Sequence, residues 1–176
     1  MKRITLLGTV FAVGLVAVGL AVAAANRNWS THANGAMEVP VRDTQGQGQA
    51  IFNLAKDGES IDYKLIASNI ENVFMAHIHM SQGPGFNGGI VVWLYPSTTP
   101  GVQDPPGGGR IDGVLIEGTI VADDLTGALD GQPLEALIDA MNGGTTYVNF
   151  HTNDGVGDPN TGAGDFPGGE IRGDIR

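Results

Sequence analysis

The amino-acid sequence predicts an all-β fold, an antiparallel Greek-key β-sandwich with one short inserted helix. Three observations support this prediction. Glycine and proline are abundant, with 28 and 9 residues in a chain of 176, which is typical of many short strands joined by turns. Several stretches rich in Val, Ile, Phe and Tyr alternate apolar and polar residues, as half-buried strands do. Helical periodicity is confined to a single stretch late in the chain.

About eight strands are expected, each bounded by turn residues. The clearest alternation lies in 60–67, where Ile61, Tyr63 and Leu65 share one face. The predicted strands lie within 26–39, 46–54, 60–67, 74–80, 88–95, 110–122, 145–152 and 170–176. The helix is predicted over 133–142, because Pro133 suits a first turn and the apolar residues that follow it form one stripe.

The N-terminus has the pattern of a secretory signal peptide. Lys2 and Arg3 precede an uncharged apolar run, 4–25, that ends in small residues fitting an A-x-A cleavage site. We therefore expect a signal peptide over 1–25, cleaved near Ala25, and one domain over 26–176. The alternative is an uncleaved membrane anchor, since the run is long enough to span a bilayer. Under either interpretation the protein is exported and is secreted or periplasmic. It contacts a membrane only through this segment, if the segment is not cleaved.

Charge and composition exclude several functions. The formal net charge is −10, and such an acidic surface repels nucleic acid. The chain has no cysteine, which excludes disulfides and thiolate metal sites. It has no G-x-S-x-G motif and no phosphate-binding loop. We therefore expect a protein that is not an enzyme, with a metal-dependent oxidoreductase as the remaining catalytic alternative.

Two histidines in one predicted strand indicate a metal site. In a strand over 74–80, His77 and His79 project from the same face, together with Met75. His151 lies on the corresponding face of its own strand, so three imidazoles meet if the two strands are neighbours. Three histidines with an open position suit copper or zinc. Met75 and Met80 are alternative copper ligands through their thioether sulfurs.

Two further residues are expected to position the histidine ligands without binding the ion themselves. Glu170 is a candidate to orient a ring nitrogen, and Arg172 lies in the same predicted strand. The alternative to a metal site is a structural network, in which the histidines bond to the backbone of the neighbouring loops.

A calcium site in the loop 153–169 is a separate hypothesis. Its donors would be Asp154, Asp158, Asn160 and Asp165. The spacing does not match an EF-hand, because no glutamate closes the loop. A solvated acidic loop is therefore expected.

The order of several motifs resembles the CHRD domain, a family named from repeats in the animal protein chordin and common in exported bacterial proteins. These motifs are AHIHMSQGPGFNGGIVVWLY, YVNFHT and PGGEIRGDI, with MEVP, GQGQAIFNL and DYKLIASNIENV before them. The likeness covers about residues 31–176. It departs from the family where Asp174, and not glutamine, follows Gly173.

The resemblance implies a compact β-sandwich of the immunoglobulin-like or Cu,Zn-superoxide-dismutase-like kind, with no generally accepted catalytic activity. A weaker likeness to the copper-zinc superoxide dismutases comes from the His-x-His strand, the glycine-rich loop after it and the later His151. Those enzymes need further histidines and a disulfide, so their activity is not carried over. We expect a non-catalytic binding or structural module whose partner is an envelope or extracellular protein. A periplasmic copper- or zinc-binding protein is the alternative.

Overall fold

The computed structural model describes residues 27–176, and the predicted signal peptide, 1–25, lies outside them. The described residues form eight strands, one α-helix and three short 3₁₀ turns. The strands are β1 (Asn28–Asn34), β2 (Gln47–Leu54), β3 (Ile61–Glu71), β4 (Val73–Met80), β5 (Gly89–Tyr95), β6 (Arg110–Ile120), β7 (Thr146–Thr152) and β8 (Ile171–Asp174); the helix is α1 (Leu134–Asn142). The prediction of an all-β fold with one short helix is confirmed.

The strands form one antiparallel sheet in the order β5-β4-β7-β8-β1-β2-β3-β6. Consecutive strands β3 and β4 therefore lie far apart in the sheet, although only Asn72 separates them along the chain. Asn72 makes this corner with a left-handed backbone, φ 57°, which asparagine tolerates better than most residues. Its side chain is held by the Gly164 carbonyl and the Gly109 amide.

The sheet curls until its two edges approach, so that the fold is nearly a barrel around one apolar core. The Tyr63 hydroxyl of β3, the strand next to the β6 edge, donates to the Leu94 carbonyl of the opposite edge strand β5 over 2.6 Å. The core contains buried side chains from all parts of the sheet and from α1. Among the largest are Trp29, Phe52, Leu65, Ile78, Leu94, Leu137 and Phe150.

The elements match the predicted ones closely, with differences at their ends. The opening strand stops at Asn34, because the Asn34 side chain accepts a hydrogen bond from the Met37 amide and starts a 3₁₀ turn over Gly35–Met37. Helix α1 begins directly after Pro133, and its stripe of Leu134, Leu137, Ile138 and Met141 is buried as predicted. Among residues 27–176, no helix is long and apolar enough to cross a membrane.

Candidate metal centre

Strand β4 has one apolar face, which packs into the core, and one face that carries polar side chains. Ala76 and Ile78 are fully buried in the core, so His77 and His79 lie on the outer face of the sheet, because side chains alternate along a strand. Buried residues normally face the interior of a barrel, yet both histidines are also buried. The segment after β4 covers His79 through the Gly88 carbonyl, and Trp93 of β5 packs against His77.

The neighbouring strand β7 supplies the third histidine. In the antiparallel register, Met75 faces His151, His77 faces Asn149 and His79 faces Tyr147. His151 is thus diagonal to His77 on the same face, within reach of a long side chain. His77 Nδ1 and His151 Nε2 are 3.1 Å apart. Strands β4 and β7 are therefore neighbours, which was the condition for a shared site.

Two backbone carbonyls fix the protonation of His79 and His151. His79 Nδ1 is 3.0 Å from the Gly88 carbonyl, and His151 Nδ1 is 2.9 Å from the Pro167 carbonyl. A carbonyl oxygen only accepts, so each Nδ1 carries the proton and each Nε2 carries a lone pair. His77 Nδ1 then donates to His151 Nε2, which leaves a lone pair on His77 Nε2.

All three imidazoles are buried and neutral at ordinary pH. His77, His79 and His151 are 0%, 9% and 6% exposed. Burial, together with the neighbouring His151 and His79, lowers the pKa of His77 to about 2. Burial likewise lowers the pKa of both His79 and His151 to about 4, although the Gly88 and Pro167 carbonyls act in the opposite direction. Neutral imidazole is the form that binds a metal ion.

The ring nitrogens of the cluster converge, and two of the three Nε2 lone pairs are not satisfied among the described residues. One ring nitrogen from each histidine lies within 4.8 Å of the others. Nitrogens sharing a tetrahedral ion at about 2.0–2.1 Å would be about 3.4 Å apart, and His151 Nε2 becomes free for an ion when it gives up the hydrogen bond from His77 Nδ1. Among the described residues, His77 Nε2 and His79 Nε2 have no hydrogen-bond partner. A buried unpaired acceptor is costly, and a cation would satisfy it.

Aromatic rings enclose the cluster on two sides. Trp93 of β5 contacts His77 edge-on, with ring centroids 4.2 Å apart. Tyr147 of β7 stacks on His79 at 4.9 Å, nearly parallel. The Arg172 guanidinium lies 3.5 Å from the centre of the same Tyr147 ring. Tyr147 and Trp93 therefore line the site.

A second buried polar group lies beside the histidines. Asn149 shares the outer face of β7 with His151 and donates to the Glu38 carboxylate. Glu38 is 4% exposed, and burial raises its pKa. Gly169 lies so close that an added Cβ would be 2.6 Å from the Asn149 amide nitrogen. The alternation of β7 points to Asn149, whereas Glu38 precedes β2 in an irregular segment and gives no sequence signal.

The residues expected to support the ligands lie close by but bond to other groups. The fully buried Arg172 donates to the Phe86 carbonyl and to Asp174. The contacts to the ring nitrogens of His79 and His151 come from backbone carbonyls. Met75 is half-buried opposite His151, while Met80 packs against the apolar core on the other face.

Glu170 ties the loop before β8 to the rest of the fold. Its carboxylate accepts from the Thr44 and Thr152 hydroxyls and from the Gly164 amide, over 2.5–2.7 Å. The residue is completely buried. Pro167, which holds His151, belongs to the same loop, so Glu170 supports the site through the backbone.

Replacing Glu170 by alanine is expected to lower the free energy of unfolding by about 3 kcal/mol, because two buried donors and the half-buried Thr44 hydroxyl lose a charged acceptor. Urea denaturation, monitored by circular dichroism, measures this change in the free energy of unfolding. Glu117→Ala is the matched control, since Glu117 is exposed and pairs with the partly exposed Lys64, and it should change stability by less than about 1 kcal/mol. Equal effects of the two substitutions would contradict the role given to Glu170.

The three aspartates of the calcium hypothesis do not form a cluster that could hold an ion among the described residues. Asp165 is buried and accepts from the amide and hydroxyl of Thr161, whereas Asp158 and Asn160 are exposed. Asp154 accepts from the Val156 amide within its own turn. The loop is thus held by its own hydrogen bonds, and the exposed part agrees with the expected solvated loop.

The fold and the cluster together define an all-β domain that carries three buried histidines on the outer face of a curled antiparallel sheet. A family model described as the CHRD domain matches residues 29–158. The chain belongs to the CHRD family. The match ends before β8, so the final motif of the resemblance lies outside it. No curated protein and no solved structure matches the chain.

Proposed function

We propose that this protein is an exported CHRD domain that binds one copper or zinc ion through His77, His79 and His151. The observation that supports this most directly is the convergence of the three imidazoles with two buried Nε2 atoms unpaired among residues 27–176. The proposed module is non-catalytic. The expected partner, an envelope or extracellular protein, stays a prediction.

The structural-network alternative accounts for part of the site only. It explains the Nδ1 atoms of His79 and His151, which bond to the carbonyls of Gly88 and Pro167 as such a network requires. It gives no partner to the Nε2 atoms of His77 and His79. A purely structural network would be expected to satisfy its buried acceptors. Metal-binding histidines commonly donate their second nitrogen to a carbonyl, which orients the ring.

The three side chains already have the features that a metal ligand needs. They are neutral, the rings of His79 and His151 are oriented by backbone carbonyls, and His77 and His79 come from a strand that is paired on both sides. A bound copper or zinc ion would act here as a Lewis acid held by neutral nitrogen ligands. The acidic surface would raise the local concentration of cations.

Metal titration of the untagged protein, residues 27–176, tests this function. After removal of metal with a chelator, we expect one equivalent of Cu(II) or Zn(II) to remain bound through gel filtration. Because Trp93 contacts His77, Cu(II) should also quench its fluorescence. Trp93→Phe is the control, since it leaves only Trp29, which bonds to Asn142 at another place in the core. Metal content at background level for both ions would overturn the proposal.

A further inference from the structure

We infer that this cluster holds copper as Cu(I), in preference to Cu(II) and Zn(II). The inference rests on the proposed function, because it names the ion that the same three histidines take. It comes from the charges around the cluster, from the number of ligands and from the burial of the site.

The ligands bring no negative charge to the ion. Each of the three imidazoles is neutral, and the nearby carboxylates are engaged elsewhere. Asp174 pairs with Arg172, Glu38 accepts from Asn149 and from the Val39 amide, and Glu170 is held by Thr44, Thr152 and Gly164. A divalent ion would therefore keep its full charge in a buried place.

A buried, positively charged side chain, that of Arg172, lies next to the cluster. Strand β7 lies between β4 and β8, so the Tyr147 ring is flanked by His79 on one strand and Arg172 on the other. Arg172 is 1% exposed, and its interaction with a neighbouring ion is therefore weakly screened. Its repulsion is twice as large for a divalent ion as for a monovalent one. Asp174 offsets this charge in part.

Burial adds to the same preference. The cost of moving an ion out of water grows with the square of its charge, so it is about fourfold larger for a divalent ion. The three histidines are at most 9% exposed, which leaves little room for water as a further ligand. Zn(II) generally takes four ligands and Cu(II) a tetragonal set, whereas Cu(I) is also stable with two or three. The half-buried Met75 opposite His151 adds a thioether, a soft ligand that favours Cu(I).

The test compares the three ions on the untagged wild-type protein under anaerobic conditions. Cu(I) is supplied as its bicinchoninate complex with excess ascorbate, and Cu(II) and Zn(II) are supplied with competing chelators of known affinity. We expect Cu(I) to bind with a Kd at least tenfold below those of the other ions. The midpoint potential of the copper-loaded protein should then exceed that of the aquated copper couple by at least 59 mV, the equivalent of a tenfold preference.

The outcomes separate this inference from the proposed function. Tight binding of Cu(II) or Zn(II) with weaker Cu(I), or a potential at or below the aquated couple, overturns the Cu(I) inference and leaves the metal site intact. Binding of none of the three ions overturns both. Arg172→Gln tests the contribution of the guanidinium, because the variant should lower the potential if it folds, and the wild-type comparison is decisive if it does not.

Discussion

Replacing His151 by alanine is expected to lower the affinity for copper or zinc by at least about 100-fold. His151 is the proposed ligand from β7, and its loss leaves the cluster with only the two histidines of β4. Loss of groups that merely orient a ligand already costs 10–100-fold in metal affinity. A 100-fold change corresponds to about 2.7 kcal/mol. Competition with a chelator of known affinity measures the change.

The fourth histidine of the chain provides a matched control for this prediction. His32 is exposed on β1 and bonds to Gln47, so His32→Ala should retain wild-type affinity. His79→Ala gives an independent second variant from the other strand, with a loss of the same order. If His151→Ala and His79→Ala bind the ion as tightly as His32→Ala does, the assignment of the ligands is wrong.

The metal-free protein is expected to lose stability steeply as the pH falls from 6.5 towards 4. The pKa values of His79 and His151 are about 4 and that of His77 is about 2, below the ordinary value of 6.5. In this window the unfolded chain binds protons that the folded chain does not. The free energy of unfolding should therefore fall by up to about 1.4 kcal/mol for each pH unit and each histidine. Urea denaturation at half-unit pH intervals measures the slope.

A variant without the cluster isolates the histidine contribution. The carboxylates titrate in this variant as they do in the wild type. They include Glu38, whose raised pKa increases the free energy of unfolding as the pH falls, opposite to the effect of the histidines. The variant His77→Gln/His79→Gln/His151→Gln should show a clearly shallower slope, and His32→Gln should keep the wild-type slope. Parallel curves for the wild type and the triple variant would show that the three histidines do not titrate as inferred from their burial.

The fold was largely predictable because alternation and turn residues are local signals. The pattern of 60–67 and the apolar stripe after Pro133 both predicted elements that the structure contains. The order of strands was not predictable from these signals, since it depends on which edges pair across the chain. The corner at Asn72 sends β4 away from β3, and no local pattern indicates this.

The ligands of the candidate site were predictable, and the groups around them were not. Histidines at alternate positions of one strand must share a face, so His77 and His79 followed directly from the sequence. The carbonyls of Gly88 and Pro167 belong to irregular segments, and any residue could have supplied them. The same holds for Glu38, which reaches Asn149 from a segment before β2. Loop conformation, which has no periodic signal, decides these contacts.

The pairing of β4 with β7 also makes the site a reporter of correct folding. His77 and His151 are 74 positions apart in the chain, and they meet only when β4 and β7 adopt one register. A slip by one residue would turn the histidines of the slipped strand towards the core and its apolar side chains outwards. An ion that requires all three imidazoles would therefore select the chains whose sheet has closed in the native register, and would slow their unfolding.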